Sequence, residues 1–375
     1  WAEEYLLQLA VESNETRFEY GVVPSELRTA AHDLAMAWQK HIDLVRRFEA
    51  SLDSCREELE LDQRDEVEAW LLNAKSMLTR ADTQLALWES YSGADAPNTE
   101  EPWARWMRGS PSGSGVEFFA SPVLARDLLR EHIWSRAAGV VVTSATLSSL
   151  GTFDRLQAMT GLPKEARYKR VESPFDPSRA VFAIPTLQAE PGDSEAHTLE
   201  IIERLPELVS GQQGILVLFS SRRQMEAVCE GLVGVLPHEC LVQNTMSKSA
   251  LLERHRANID AGRASAIFGL ASFAEGVDLP GAYCDHVVIA KLPFSVPDSP
   301  REAAHAELLE SLGRNAFMEI SVPDAALKLV QASGRLLRSE ADAGRITLLD
   351  RRLQTKRYGR AILDSLPRYT FELGN

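Results

Sequence analysis

The chain has 375 residues, 45% of them hydrophobic, enough for buried cores in two or three domains. Its apolar stretches are short and broken by charge, and no basic leader followed by an apolar run opens it, so neither a membrane span nor secretion is expected. The net charge of −14 argues against a nucleic-acid binder until its distribution is considered. Residues 1–100 carry 9 basic and 21 acidic side chains, whereas residues 101–375 carry 31 and 33. The acidity belongs to one segment, which leaves the remainder free to present a local phosphate-binding track. Cys55, Cys229, Cys240 and Cys284 have no metal-ligand spacing and the 8 histidines are scattered, so free thiols and no metal site are expected. The chain opens on Trp1 rather than Met, and the expectation is a piece of a longer protein.

In chain order, residues 1–100 read as helical. Leu27, Ala31, Leu34, Trp38, Ile42 and Val45 form one apolar stripe after Ser25, a plausible N-cap. Val67, Leu71, Ala74, Leu78, Ala81, Leu85 and Trp88 form a second, and the two predict a helical hairpin. The Gly-, Pro- and Ser-rich stretch Ser92–Ser114 marks a boundary. Beyond it, apolar runs at Gly139–Thr143, Ala180–Ile184, Gly214–Phe219, Ala264–Phe268, His286–Ile289 and Ile346–Leu349 alternate with helical patterns. The predicted helices fall at Glu195–Val209, Arg222–Val233, Ser249–Asn258, Pro300–Leu312, Asp324–Arg338 and Thr355–Leu363. Continuous apolar strands separated by helices predict a doubly wound α/β domain around a parallel sheet, with ligands at the strand C-termini.

The unusual residues follow those strand ends. Thr143, Ser144 and Thr146 give a hydroxyl-rich turn after a predicted buried strand, although ordinary strand-end turns look similar. Ser220 and Ser221 precede a helix, where hydroxyls and backbone amides make either an anion site or a plain N-cap. In ASFAEGVDLPG, Gly276 between Glu275 and Asp278 permits a tight backbone beside two carboxylates, and a simple turn is equally compatible. The sharpest local signal is QASGRLLR. If helical, it places Gln331, Arg335 and Arg338 on one face, with Gly334 admitting close approach, and two such arginines suit bidentate phosphate recognition or a structural ion pair. The basic run Arg351–Arg360 reads first as a solvated helix face.

Taken in order, TSATL, Ser173–Phe175, LFSS, SFAEGVDLPG, QASGRLLR and the ending LLDRRLQTKRYGRAILDSLP resemble the C-terminal motor of superfamily 2 helicases, in particular the DinG branch related to XPD. The resemblance implies a RecA-like doubly wound domain at 171–375, the C-terminal remnant of a first such domain at 101–170, and a helical, arch-like segment at 1–100. It implies ATP in a cleft between two motor domains, with Arg335, Arg338 and Gln331 catalytic and Glu275, Gly276, Asp278 and Gly334 around the nucleotide. It assigns single-stranded DNA contacts to Thr143, Ser144, Thr146, Ser220, Ser221, Gln243, Ser272 and Phe273. It further implies translocation from 5′ to 3′, duplex unwinding on forked or R-loop substrates, a monomer, and a cytoplasmic location. No glycine in the chain precedes a lysine, and there is neither an Asp-Glu-Ala-His run nor a four-cysteine cluster. The phosphate loop, Mg2+ and any iron–sulfur cluster are therefore expected from a missing N-terminal half, leaving this chain inactive alone. The rival expectation is a non-catalytic module that binds DNA or a partner.

Overall fold

The computed structural model describes residues 15–55, 61–96, 103–110, 115–144, 146–163, 165–270, 273, 276–294 and 299–374. They divide into two compact units, one of residues 1–125 and 297–316, the other of 126–296 and 317–375. Among the described residues no helix is long and apolar enough to cross a membrane.

The first unit is built on two long helices, α1 (Ser25–Cys55) and α2 (Leu61–Ser92), with a three-stranded antiparallel sheet of β1 (Glu15–Arg17), β2 (Trp103–Gly109) and β3 (Val116–Pro122). Each helix buries one narrow stripe: Ala31, Ala35, Ile42 and Val45 on α1, and Leu71, Ala74 and Ala81 on α2. Leu34, read from the sequence as part of the buried stripe, is instead 40% exposed. Helix and sheet meet at Tyr91, whose ring packs on Phe18, Trp88 and Phe118. Its hydroxyl lies 2.8 Å from the carbonyls of both Trp106 and Phe119, and burial pushes the phenol pKa well up.

The second unit holds a seven-stranded, wholly parallel sheet in the order β10-β4-β9-β8-β5-β7-β6. Its strands are β4 (Ala180–Ile184), β5 (Gly214–Phe219), β6 (Glu239–Val242), β7 (Ser265–Leu270), β8 (His286–Ile289), β9 (Gly344–Leu348) and β10 (Thr370–Leu373). Side chains alternate across a strand, so one apolar run feeds two cores. Ile215, Val217 and Phe219 pack with α4 (Ser194–Leu208) and α5 (Arg222–Gly231); a short helix, α3 (Asp154–Thr160), precedes these. Leu216 and Leu218 face the opposite core, covered by α6 (Lys248–Asp260), α8 (Val322–Ser333) and α9 (Arg357–Ser365); α7 (Pro300–Ser311) belongs to the first unit. The last strand, β10, covers the outer side of β4 in parallel register, Thr370 opposite Val181 and Leu373 opposite Ile184. Tyr369 stacks on Phe182, with 5.9 Å between ring centroids.

Two expectations differ from this architecture. Gly139–Thr143 forms no strand: Val140, Val141 and Val142 are 45%, 90% and 44% exposed, because an apolar run becomes a strand only beside a partner edge. The helix expected over Asp324–Arg338 spans Val322–Ser333, so Arg335 and Arg338 lie in the turn beyond it.

Candidate functional site

The turn between α8 and β9 and the segment between β7 and β8 come together on the side where β8 and β9 begin. This is the N-terminal edge of the sheet, and not the strand C-termini where ligands were expected. Arg335 Nη1 donates to the Val277 carbonyl at 3.2 Å and Arg338 Nη2 donates to the same oxygen at 3.3 Å. Arg338 Nε donates to the Asp278 carboxylate at 3.0 Å, while Arg256 Nη2, from α6, reaches the Asp278 carbonyl at 2.9 Å. Three guanidinium groups thus converge on two consecutive residues. The helical face inferred from spacing is absent, yet Arg335 and Arg338 still meet, through a turn that curls both onto one carbonyl. Asp278 is largely exposed and Arg338 partly so, which leaves their pair open to exchange with an incoming anion.

Gly276 takes φ +70°, a left-handed conformation that favours glycine and lets the chain reverse immediately before Val277. Gly334 caps α8 with ordinary helical φ, and a Cβ there would meet only carbonyls of its own helix, Val330 at 3.2 Å and Gln331 at 3.7 Å. No partner backbone approaches it. Gln331 Nε2 donates to Thr146 Oγ1 at 3.0 Å, joining the hydroxyl-rich turn to α8 across 185 residues. The same stretch is fastened at the start of α8, where Ser149 Oγ donates to the Pro323 carbonyl at 2.7 Å and Arg155 pairs with Asp324 at 2.6 Å. Thr143 and Ser144 are exposed, and Ser144 Oγ accepts from the Thr146 N–H at 3.3 Å.

The remaining expected DNA contacts lie on neighbouring strand ends. Ser221 is the N-cap of α5, accepting from Gln224 N–H, and Ser220 is exposed beside it. Gln243 uses its amide oxygen on the Leu270 N–H at 2.8 Å. With Asn244, Met246, Lys248 and Phe273 it lines an open pocket of about 300 Å³. Phe273 is 6% exposed, and its ring carries Lys248 Nζ at 4.9 Å from the centroid. The Phe273 ring is thus largely covered, with Lys248 over one face. Ser272 and Glu275, also expected here, lie outside the described residues.

Asp342, 5% exposed, gathers four donors: the N–H groups of Arg338 (2.6 Å), Ser339 (2.8 Å) and Gly281 (3.1 Å), and the Ser339 hydroxyl (2.6 Å). Burial opposes its ionisation, but the Ser339 hydroxyl and the three amides outweigh that and hold the carboxyl below its ordinary range. Asp350, fully buried at the end of β9, receives the Leu292 N–H at 2.8 Å and pairs with Arg352 at 2.7 Å. Arg351 pairs with Glu190 and Arg360 with Asp364, so much of the basic run is spent on local pairs. Burial pushes the thiols of Cys229 and Cys284 up to about 12, which keeps them protonated and unreactive.

Residues 205–369 match the helicase C-terminal domain family. The chain is 38% identical over 358 residues to the ATP-dependent DNA helicase DinG of Photobacterium profundum, covering 94% of this chain and 51% of that protein. Its identity to DinG of Salmonella typhimurium is 33% over 372 residues, 97% of this chain and 51% of the relative. Residues 205–369 are thus similar to helicase C-terminal domains, and the chain is similar to DinG over about half of that protein's length. A solved apo structure of XPD shares the fold, at a TM-score of 0.50 and 15% identity over 99% of this chain and 76% of that one. The chain spans about half the length of the curated relatives it matches. Sequence reasoning missed Asp342 and Arg256. Neither stands in a marked motif, and each acquires its role only through contact with residues far away in sequence.

Proposed function

We propose that the chain is the C-terminal part of an ATP-dependent DNA helicase, in which Arg335 and Arg338 face the phosphates of ATP held mainly by another segment of the protein. The observation that carries this reading is the convergence of both arginines on Val277 and Asp278. A guanidinium fork matches phosphate oxygens, and its charge counts most when negative charge builds during transfer. Asp278 and the Val277 carbonyl then act as resting partners that a phosphate replaces. Gln331, bonded to Thr146, ties the nucleotide side to the hydroxyl-rich turn, and Glu275, Gly276 and Gly334 are proposed as further nucleotide contacts.

Single-stranded DNA is proposed to contact Thr143, Ser144 and Thr146, the strand ends bearing Ser220, Ser221 and Gln243, and Ser272, with Phe273 as a floor under Lys248. Each phosphate contact steepens the salt dependence of binding by roughly 0.7. The wider proposal is 5′-to-3′ translocation and unwinding of forked or R-loop nucleic acid by a cytoplasmic monomer. Residues 1–100 form its arch, 101–170 end its first motor domain and 171–375 form the second. The exposed Val140–Val142 run supports the middle assignment, since a strand edge from outside this chain would bury it. Mg2+ would accompany ATP. Among the described residues there is no group of three or more His, Cys, Asp or Glu able to hold a metal ion, so no residue here is assigned to it, and the same holds for an iron–sulfur cluster.

The test is DNA-stimulated ATP turnover by the full-length protein. Arg338→Ala is expected to lose about 10³–10⁵ in turnover and Arg338→Lys to stay severely impaired, with single-stranded DNA binding little changed. The Arg338–Asp278 pair favours a second reading, in which Arg338 merely ties two turns together. Early melting of Arg338→Ala, with normal turnover by what stays folded, would establish that reading instead. The isolated 375-residue chain is expected to hydrolyse no ATP above background. Turnover by it, abolished by one substitution within it, would refute the division of labour.

A further inference from the structure

Arg338 lies beyond the end of α8, where no helical ladder fixes its backbone. A single buried carboxylate does so. One oxygen of Asp342 accepts from the Arg338 N–H at 2.6 Å and the Ser339 N–H at 2.8 Å; the other accepts from the Ser339 hydroxyl at 2.6 Å and the Gly281 N–H at 3.1 Å. Gly281 follows Asp278 by three residues, in the turn that supplies the partners of Arg335 and Arg338. One side chain therefore grips both halves of the site. Its own turn is braced in place: Asp342 N–H donates to the Ser339 carbonyl at 3.2 Å, and Arg179 donates to the carbonyls of Ala341 (2.7 Å) and Asp342 (3.0 Å).

We infer that Asp342 is a positioning residue for the reaction, setting where the Arg338 guanidinium stands relative to the Val277–Asp278 turn. The inference rests on the reading of Arg338 as a phosphate-facing arginine. The chemistry calls for a carboxylate, because all four bonds come from donors and only an ionised Asp offers acceptors on both oxygens. An amide presents an NH2 group to one pair of those donors and opens one side of the clamp. Arg338 and Asp278 then drift apart, while the guanidinium and its charge remain. Misplacement of a reacting group by about 1 Å costs on the order of 10²-fold in rate.

The experiment compares Asp342→Asn, the milder Ser339→Ala and Arg338→Ala in the full-length protein. Turnover is read with saturating single-stranded DNA, and backbone amide exchange is followed at residues 335–345. Asp342→Asn is expected to lower kcat by about 10- to 100-fold with the KM for ATP within about threefold, and to speed exchange at Arg338 and Ser339. Ser339→Ala, which removes one donor of the four, is expected to fall between it and the unsubstituted protein. Turnover by Asp342→Asn within about twofold of normal overturns the inference. So does a parallel loss of kcat, DNA affinity and Tm, the mark of general weakening; if Asp342→Asn does not fold, Ser339→Ala decides by the same criteria. Normal turnover by Arg338→Ala sinks the arginine reading itself, whereas an inactive Arg338→Ala beside a fully active Asp342→Asn sinks only the positioning role.

Discussion

The two units bury apolar surface in opposite ways. In the parallel sheet both faces are covered, so Phe182, Leu216, Ile267, Val287 and Ile346 are all fully buried, and adjacent residues of one strand serve separate cores. In the helical pair only one stripe per helix is covered, and Leu44, Trp70 and Leu72 remain 60%, 52% and 71% exposed. A sheet closed on both faces gives the turns that carry the guanidinium groups a packed base. A two-helix arm carries reach and charge but little packing. The chemistry-bearing residues brought together here all belong to the sheet unit.

Truncation within the sheet is the strongest probe of that contrast. Leu216→Ala should destabilise the second unit by about 2–5 kcal/mol, read as faster amide exchange across β5 and its neighbours. An effect below about 1 kcal/mol would mean that this core tolerates voids and that the contrast in packing is misplaced. Acid should act on the same unit next. His286, fully buried with Nε2 at 2.8 Å from Thr347 Oγ1, is pushed by burial down to about 4. His197 and His255 are lowered as well, first by burial, and each is committed through both ring nitrogens. A histidine held neutral in the fold takes up its proton first in the unfolded chain. The stabilisation is therefore complete above about pH 6.5 and drains away as pH falls toward 4, by on the order of 3 kcal/mol for His286. Denaturant midpoints of the second unit at pH 7 and pH 5, with and without His286→Phe, check this; a midpoint insensitive to pH contradicts it.

Smaller effects belong to the first unit. Tyr91→Phe leaves the ring packing but removes the donor beside the Trp106 and Phe119 carbonyls, and should cost about 1–2 kcal/mol there without slowing exchange or speeding it in the sheet unit. Leu44→Ala, on an exposed position of α1, should change stability by less than about 0.5 kcal/mol. A larger loss at Leu44 would reveal that this helix face is covered in solution.

The difference in burial also explains what was legible in the sequence. β4, β5 and β8 fall where their apolar runs predict, residue for residue, because strands covered on both faces read as unbroken hydrophobic stretches. The four-residue edge strands β6 and β10 went unseen, since Glu239–Val242 and Thr370–Leu373 mix polar and apolar residues. Gly139–Thr143 misled in the other direction: its composition is that of a strand, but strand formation also needs an adjacent edge. At the site, Arg335, Arg338 and Asp278 were readable from their spacing and chemistry. The conformation that joins them was not, because α8 keeps apolar periodicity through Leu336 and Leu337 after its helix has ended. Asp342 and Arg256 were invisible for a simpler reason. An aspartate near a turn and an arginine on a helix are commonplace, and only proximity gives them meaning.

The position of β10 has a consequence for how this unit is made. β4 is the first strand of its sheet to be synthesised and β10 the last, yet they lie side by side, with Gly374 N–H donating to the Ile184 carbonyl at 2.7 Å. Until Thr370–Leu373 is in place, β4 offers a bare edge of unpaired peptide groups, an invitation to whatever extended chain is nearby. Loss of Thr370–Leu373 would therefore leave every motif in place and expose a sticky flank on the sheet.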